Sequence, residues 1–116
     1  MSYEQWAVVV VPFPFTDRDR QKRRPAVVVS RRDQFGAGSG HSVFAMVTSA
    51  VHRRWPLDVV LTDQETAGLP TPSLVRMKLF TLHDRVVIKQ LGHLSPEDRK
   101  ATAAALGALL GMGLDG

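Results

Sequence analysis

Two short runs of valine, separated by a charged segment, constrain the fold more than any other feature of the sequence. The runs are residues 8–11 and 27–29. Both are too short for a typical helix, and their β-branched side chains pack well on a pleated sheet. Pro12 and Pro14 end the first run, because proline has no N–H to donate to a β-ladder. The pattern therefore predicts strand, charged loop and strand, so that the loop presents its cations on a rigid base.

The middle of the chain predicts further strands. Apolar stretches of strand length follow at residues 42–48, 57–61, 73–81 and 86–91. Residues 31–40 contain three glycines and predict a loose hairpin connection. Nearly the whole chain up to this point is therefore expected to be short strands and turns.

A helix is predicted only near the end of the chain. Ser95 is a capping residue, Pro96 stands at the first helical position, and Gly111 ends the apolar run at residues 101–110. Five or six short strands followed by one helix predict a small, mainly β protein. The expected architecture is a strongly bent antiparallel β-barrel with a C-terminal α-helix.

The net charge is concentrated in one segment. The chain carries 15 Lys and Arg against 11 Asp and Glu, a formal net charge of +4. Seven of the basic and three of the acidic residues lie at residues 17–33, so this segment holds the whole excess. A concentrated cationic patch favours a polyanionic partner such as nucleic acid, although a solubilising surface loop would have the same composition.

Length and composition indicate a single globular domain over residues 1–116. Hydrophobic residues make up 44% and charged residues 22%, which is typical of a folded chain with one modest core. The absence of cysteine excludes a disulfide framework and a thiolate metal site, and favours a cytoplasmic protein. The longest early apolar run, residues 7–11, is too short for a signal peptide or a membrane span. No membrane partner is expected.

Five segments, in order and over nearly the whole chain, resemble the MazF/PemK family of toxins. They are PFPFTD (12–17), KRRPAVVVS (22–30), AMVTS (45–49), PSLVRMKLFTL (72–82) and LGHLSPED (91–98). The resemblance implies an SH3-like β-barrel that acts as a homodimer and is neutralised by a cognate antitoxin protein. It also implies the toxin of a toxin–antitoxin system: a sequence-selective, metal-independent endoribonuclease that cleaves single-stranded RNA, including mRNA, without a cofactor.

The resemblance also indicates which residues act. Arg24 matches the arginine before the proline of the family's R-P-x-x-V element and is the expected catalytic arginine. Thr48 and Ser49 match a Thr/Ser pair that ends the third strand, beside that arginine and the scissile phosphate. RNA contacts are expected from the basic loop and from polar or aromatic positions elsewhere: Arg18, Arg20, Lys22, Arg23, His52, Trp55, Arg76 and Lys78.

The chemistry of RNA cleavage explains why these residue types suit the task. Without a metal, the 2′-hydroxyl of the RNA attacks the adjacent phosphorus, leaving a 2′,3′-cyclic phosphate and a 5′-hydroxyl. The protein orients this hydroxyl, neutralises charge on the phosphorane and moves two protons. The guanidinium of Arg24 is suited to neutralising the charge on the phosphorane, since it is planar, can bind two phosphate oxygens and stays protonated. The Thr48 hydroxyl can donate to a phosphate oxygen, and Ser49 can do the same or brace the loop.

Several assignments keep an alternative. Arg76 is either a second phosphate clamp or a solvated strand residue. Trp55 is either a stacking platform for an unpaired base or part of the core at the mouth of the barrel, the second being favoured. His52, close to Thr48 in sequence, is the best-placed histidine for proton transfer, but the identity of the general base stays open.

Two departures from the family pattern bear on function. Ala7 stands where relatives commonly carry an aspartate, and Lys78 stands where some relatives carry another. The first removes a polar side chain, and the second leaves the carboxylate proton acceptor unidentified. The alternatives to an active toxin are therefore a non-catalytic nucleic-acid-binding SH3-like module and an inactive family member. A protein-targeting toxin on the same barrel would not need the cationic cluster around Arg24.

Overall fold

In residues 2–13 and 22–112, which the computed structural model describes, six strands form one antiparallel sheet. The strands are β1 (Ala7–Pro12), β2 (Arg23–Val28), β3 (His41–Ser49), β4 (Val59–Val60), β5 (Ser73–His83) and β6 (Lys89–His93). Their order across the sheet is β4-β5-β3-β2-β1-β6, so β4 and β6 are its edges. One long helix, Pro96–Leu110, follows the last strand.

The sheet carries an apolar layer on each face, because side chains alternate along a strand. One layer packs against the helix and includes Val8, Val27 and Val47, together with Ala105 of the helix. The opposite layer consists of the alternate residues of the same strands and a few neighbours: Ala7, Val9, Val11, Phe13, Ala26, Val28, Phe44 and Phe80. β1 and β2 are therefore buried on both faces, which explains their unbroken runs of valine.

The segment of residues 62–69 joins the two edges of the sheet. It follows β4 and lies against β6, where the N–H of His93 donates to the carbonyl of Thr66 at 3.1 Å. A Cβ at Gly92 would lie 2.3 Å from that carbonyl oxygen, so only glycine lets the two backbones approach so closely. The sheet therefore curls on itself. The predicted fold class, a small antiparallel SH3-like barrel with a C-terminal helix, is confirmed.

Residues 31–40 join the antiparallel neighbours β2 and β3, as a hairpin connection should, but they are not the loose loop that was predicted. This segment forms a helical turn, Arg32–Gly36, that continues into Ala37–Ser39. The N–H of Phe35 donates to the carbonyl of Arg31 at 2.9 Å, which begins the turn. Gly40 ends it in the left-handed conformation, at φ +73°. Glycine is typical both of hairpin loops and of helix ends, and here it serves the second purpose.

The last predicted strand, residues 86–91, begins later than expected. A short 3₁₀ turn, Asp84–Val86, precedes it, and the strand begins at Lys89. The carboxylate of Asp84 is buried and accepts a hydrogen bond from the hydroxyl of Ser42 at 2.6 Å. This tertiary contact fixes the turn, and nothing local in the sequence indicates it.

The helix begins and ends at the predicted residues. The Ser95 hydroxyl accepts from the N–H of Asp98 at 3.2 Å, Pro96 is the first helical residue, and Gly111 ends the helix at φ +71°. Within the described ranges, no helix combines the length and the apolar character that crossing a membrane requires.

Asp98 fastens the start of the helix to the sheet. Its carboxylate is buried and accepts from the N–H of Thr62 at 3.0 and 3.2 Å, from the Thr62 hydroxyl at 2.9 Å and from the N–H of Asp63 at 3.1 Å. These donors belong to the turn that follows β4. One side chain therefore holds the first turn of the helix against an edge of the sheet.

Replacing Asp98 by alanine is expected to lower the free energy of unfolding by about 3 kcal/mol, because it leaves the donors of Thr62 and Asp63 without a charged acceptor. Glu97→Ala, one residue earlier and exposed, is the matched control and should change stability by less than about 0.5 kcal/mol. Urea denaturation of both variants measures the difference. Equal losses would show that Asp98 does not fasten the helix.

Candidate active site

An open cleft of about 350 Å³ lies where the ends of β2, β3 and β5 meet the loop of residues 50–58. The side chains that line it come from these three strands and from the loop: Arg24, Met46, Thr48, His52, Arg53, Trp55 and Arg76. The strand residues lie on the sheet face opposite the helix. That face is apolar around Phe44 and Phe80 and becomes basic at the cleft.

The pairing of β2 with β3 brings Arg24 and Thr48 together. Ala26 lies opposite Met46 in the sheet, so continuing the antiparallel register by two residues sets Arg24 opposite Thr48. Because side chains alternate along a strand, Arg24 points to the same face as Ala26, and Thr48 points to the same face as Met46. Two of the three residues that the family resemblance marks as catalytic are thus placed opposite each other on neighbouring strands.

Arg24 holds a buried donor with no acceptor. Its guanidinium carbon lies 5.7 Å from the centroid of the Phe13 ring, which supports one side of the group. Its Nε is buried, and no described residue accepts a hydrogen bond from it. A buried donor without a partner costs about 1–3 kcal/mol. Arg24 therefore keeps a strong, unused donor beside the cleft that it lines.

Thr48 and Ser49 lie in different surroundings. Thr48 is largely buried and lines the cleft. Ser49 follows it in an extended strand, so its side chain points to the other face. Its hydroxyl lies 3.4 Å from the N–H of Val51, in the turn that leaves β3, and it does not line the cleft. Of the predicted pair, only Thr48 lines the cleft together with Arg24.

Arg76 is buried in an ion pair, so the interpretation as a solvated strand residue is wrong. It is 7% exposed, and its Nε and Nη2 donate to the two carboxylate oxygens of Asp58 at 3.2 and 2.9 Å. Nη2 also donates to the carbonyl of Arg53 at 2.7 Å. Three of its five N–H bonds are therefore engaged within the described residues. Arg76 forms the floor of the cleft and holds the loop of residues 50–58.

Trp55 lies at the surface of the cleft, so the interpretation as a core residue is also wrong. Trp55 is 46% exposed. The guanidinium carbon of Arg76 sits 4.6 Å from the centroid of its ring. Trp55 therefore presents an aromatic surface beside three arginines.

The Asp58 carboxyl is ionised at neutral pH. Burial acts to raise its pKa, but hydrogen bonds from Arg76 and from the N–H of Trp55, and the charges of Arg76 and Arg54, outweigh burial. The net effect lowers the pKa of Asp58 below its ordinary value. A charged carboxylate thus faces a charged guanidinium, and each compensates the other.

The other predicted RNA-binding residues lie around the cleft or outside the described part of the chain. Lys78 places its Nζ 5.9 Å from the centroid of the Phe13 ring, so the same ring contacts Arg24 and Lys78. Lys22 and Arg23 are exposed near the start of β2 and do not line the cleft. Two further positions lie outside the described residues, namely Arg18 and Arg20. His52 is exposed and lines the cleft.

Sequence reasoning missed Arg53 and Asp58. Arg53 was visible only as one more cation in a basic loop. Asp58 follows Trp55-Pro56-Leu57, and proline at the second position of such a segment is typical of a β-turn. That signal would place Asp58 beside Trp55. Its pairing with Arg76, 18 residues away in the chain, has no local signal.

A larger cleft, of about 550 Å³, does not match the predicted chemistry. It is lined by Glu4, Gln5, Arg31, Arg32, Asp33 and Ala37. Its arginines are already paired, Arg31 with Asp33 at 2.6 Å and Arg32 with Glu4 at 2.7 Å. The basic segment of residues 17–33 is therefore not one patch, since its last two arginines belong to a different, neutralised surface. Size alone does not identify the site.

Replacing Asp58 by asparagine is expected to destabilise the protein by about 2 kcal/mol at neutral pH, because a neutral amide cannot compensate the buried Arg76. Since the folded-state pKa of Asp58 is lowered, the stabilisation is fully present above the ordinary carboxyl pKa of 3.8 and is lost as the pH falls below it. Urea denaturation of both proteins across this range should show the difference shrinking in acid. A difference independent of pH would contradict an ionised pair.

Solved structures similar to this one include MazF proteins and their complexes. MazF (Form-I) from Deinococcus radiodurans is 25% identical, with a TM-score of 0.74 over 97% of this chain and 99% of that chain. A MazE-MazF complex (Form-III) from the same organism gives 24% identity and a TM-score of 0.76, over 97% and 100%. An endoribonuclease in complex with its cognate antitoxin, from a mycobacterial species, gives 19% and 0.72, over 96% and 97%.

The sequence itself matches a family model. No curated protein sequence is significantly similar to the chain. The model described as PemK-like, MazF-like toxin of type II toxin–antitoxin system, however, matches residues 4–110, which is nearly the whole chain. The resemblance seen in five separate segments is therefore confirmed, and the chain belongs to the PemK/MazF family of toxins.

Proposed function

We propose that this toxin is an endoribonuclease that cleaves single-stranded RNA by attack of the 2′-hydroxyl on the adjacent phosphorus, without a metal ion. One observation carries the proposal: the cleft combines three arginines with a buried hydroxyl, and no carboxylate is among its described lining residues. A chain of phosphates is the polyanion that such a surface fits. The family membership of the chain supports the same reaction.

Arg24 is the proposed transition-state residue. Its Nε–H has no acceptor among the described residues, and the ring of Phe13 restricts how the guanidinium can turn. A phosphate oxygen would satisfy this donor, and a second N–H of the same planar group could bind a second oxygen. The gain is largest when charge develops on the phosphorane. Thr48 would donate its hydroxyl to the same phosphate.

The remaining predicted residues take supporting roles in this proposal. Ser49 braces the turn after β3, as its contact with Val51 suggests. Long-range attraction of RNA is assigned to Lys22 and Arg23 near the start of β2, to Lys78 beside Phe13, and to Arg18 and Arg20, which lie outside the described residues. Arg76 contributes mainly by holding the loop of residues 50–58, since most of its donors are engaged.

Proton transfer requires a group other than Arg24, because a guanidinium stays protonated in proteins. Histidine is the side chain that most often transfers protons in enzymes. His52 is the histidine among the described lining residues, whereas Asp58 is committed to Arg76. We therefore assign proton transfer to His52. The aspartates that relatives carry at the positions of Ala7 and Lys78 are absent from this chain.

The proposed partners follow from the family. Related structures contain a MazF with MazE, or an endoribonuclease with its cognate antitoxin, so an antitoxin protein is the proposed inhibitor.

A homodimer is also proposed. The end of the helix exposes apolar side chains that a second copy would cover, namely Leu109, Leu110 and Met112. Light scattering at high micromolar protein should give twice the 12.8 kDa chain mass, and a monomer mass would contradict the dimer.

The activity is tested by incubating the pure protein with single-stranded RNA in excess EDTA. Cleavage products with 2′,3′-cyclic phosphate and 5′-hydroxyl ends are expected. Arg24→Lys keeps the charge but loses the planar fork, so the single-turnover rate should fall by roughly 10²–10³. RNA affinity should change much less, because the neighbouring cations remain.

Arg23→Lys is the matched control for this substitution. Arg23 is adjacent, exposed and outside the cleft, and it points to the other side of an extended strand. Its replacement should leave the rate nearly unchanged. Equal rates for the two variants would remove Arg24 from the active site. Binding without cleavage by the wild-type protein would instead indicate a non-catalytic RNA-binding module or an inactive family member.

A further inference from the structure

The loop of residues 50–58 is held in one conformation by polar contacts. Asp58 reaches back over the turn, and one of its oxygens accepts from the N–H of Trp55 at 2.8 Å. The N–H of Asp58 donates to the carbonyl of Trp55 at 3.2 Å, which closes a four-residue turn. Arg54 donates to the carbonyls of Ala50 and His52, at 2.6 and 3.1 Å. The loop is thus fastened to itself at both ends.

Leu57 indicates that these contacts oppose the local preference of the backbone. Its φ is +68°, in the left-handed region that a leucine rarely adopts. Such strain persists only where the surroundings hold the residue in place, and it is common at functional sites. The hydrogen bonds of Asp58 to both its own turn and Arg76 supply that hold.

The consequence is a fixed aromatic ring in the cleft. The turn places Trp55 over the guanidinium of Arg76, 4.6 Å from the ring centroid, while the residue stays 46% exposed. Arg76 cannot move away, because the Asp58 carboxylate, whose side chain is 2% exposed, holds it by two hydrogen bonds. The guanidinium therefore contacts the carboxylate through its N–H edge and the indole through its face, and the indole is the most exposed of the three.

We propose that the Trp55 ring stacks on an unpaired nucleobase of the RNA and that Asp58 is a positioning residue, which fixes this platform through Arg76. The proposal rests on the proposed RNA cleavage and names the contact that selects single-stranded substrate. Unpaired bases expose the π-faces that aromatic side chains bind, whereas bases in a duplex do not. Arg24 and Arg53 line the same cleft, so phosphates and bases have adjacent places.

The direct test uses the fluorescence of Trp55. The chain has two tryptophans, so Trp6→Phe leaves Trp55 as the reporter. Two uncleavable probes are titrated into this protein: a seven-nucleotide 2′-O-methyl RNA of mixed sequence, and a sugar–phosphate strand of equal length without bases. Only the base-bearing strand should quench Trp55, with quenching that saturates on binding. Equal quenching by both strands, or none by either, would overturn the platform.

Affinities for the same two probes test the energetic role. Trp55→Ala should weaken binding of the base-bearing strand by about tenfold to a hundredfold and leave the abasic strand unchanged. Val51→Ala, in the same loop and 87% exposed, is the control and should change neither. Equal weakening of both strands by Trp55→Ala would show that the ring supports the loop rather than a base.

A double-mutant cycle tests whether Asp58 acts through Trp55. Asp58→Asn should selectively weaken binding of the base-bearing strand. In a protein that already carries Trp55→Ala it should cause little further loss of affinity, because both changes remove the same contact. Asp58→Glu keeps the carboxylate and should restore part of the selectivity. Additive losses would overturn the positioning role. If melting curves show that Asp58→Asn does not fold, Arg76→Lys takes its place in the cycle.

These outcomes separate the platform from the proposed reaction. A wild-type protein that binds the base-bearing strand selectively but does not cut RNA would retain the platform and contradict the nuclease. If the protein cuts RNA but Trp55→Ala leaves its affinity for both probes unchanged, the nuclease is retained and the platform is contradicted.

Discussion

The two-residue repeat of the β-strand decides which side chains of this protein can act together. Arg24, Thr48 and Arg76 come from three neighbouring strands and share the sheet face opposite the helix. Their chain neighbours Arg23 and Ser49 point the other way. A shift of one residue in any of these strands would exchange the two sets, and it would also send the side chains of each apolar layer to the opposite face of the sheet. The core and the site are therefore specified by the same register.

Pairing of charges decides which arginines remain available to a ligand. Arg31, Arg32 and Arg76 each face a carboxylate, whereas Arg24 faces none among the described residues. A buried ion pair adds little net stability, since desolvation of both ions offsets their attraction. The pair of Asp58 and Arg76 is better understood by what it positions, namely a strained turn and an exposed indole.

Local signals account for what the sequence predicted. Valine runs, prolines and the helix caps at Ser95 and Gly111 act over a few residues, so the strands and the helix were predictable. The family resemblance pointed to Arg24 and Thr48, which the register makes neighbours. The interpretation of Trp55 failed in part, because its exposure depends on Arg76, which is distant in the chain. The helical turn at residues 31–40 was missed because glycine marks both loops and helix ends.

We expect Arg24, whose Nε has no acceptor among the described residues, to receive a phosphate of the RNA together with the Thr48 hydroxyl. A crystal structure with an uncleavable 2′-O-methyl RNA tests this most directly. One phosphate is expected with its oxygens about 3 Å from the Arg24 guanidinium, Nε included, and from Thr48 Oγ1. RNA bound with its phosphates elsewhere, and with Arg24 Nε still without an acceptor, would contradict it.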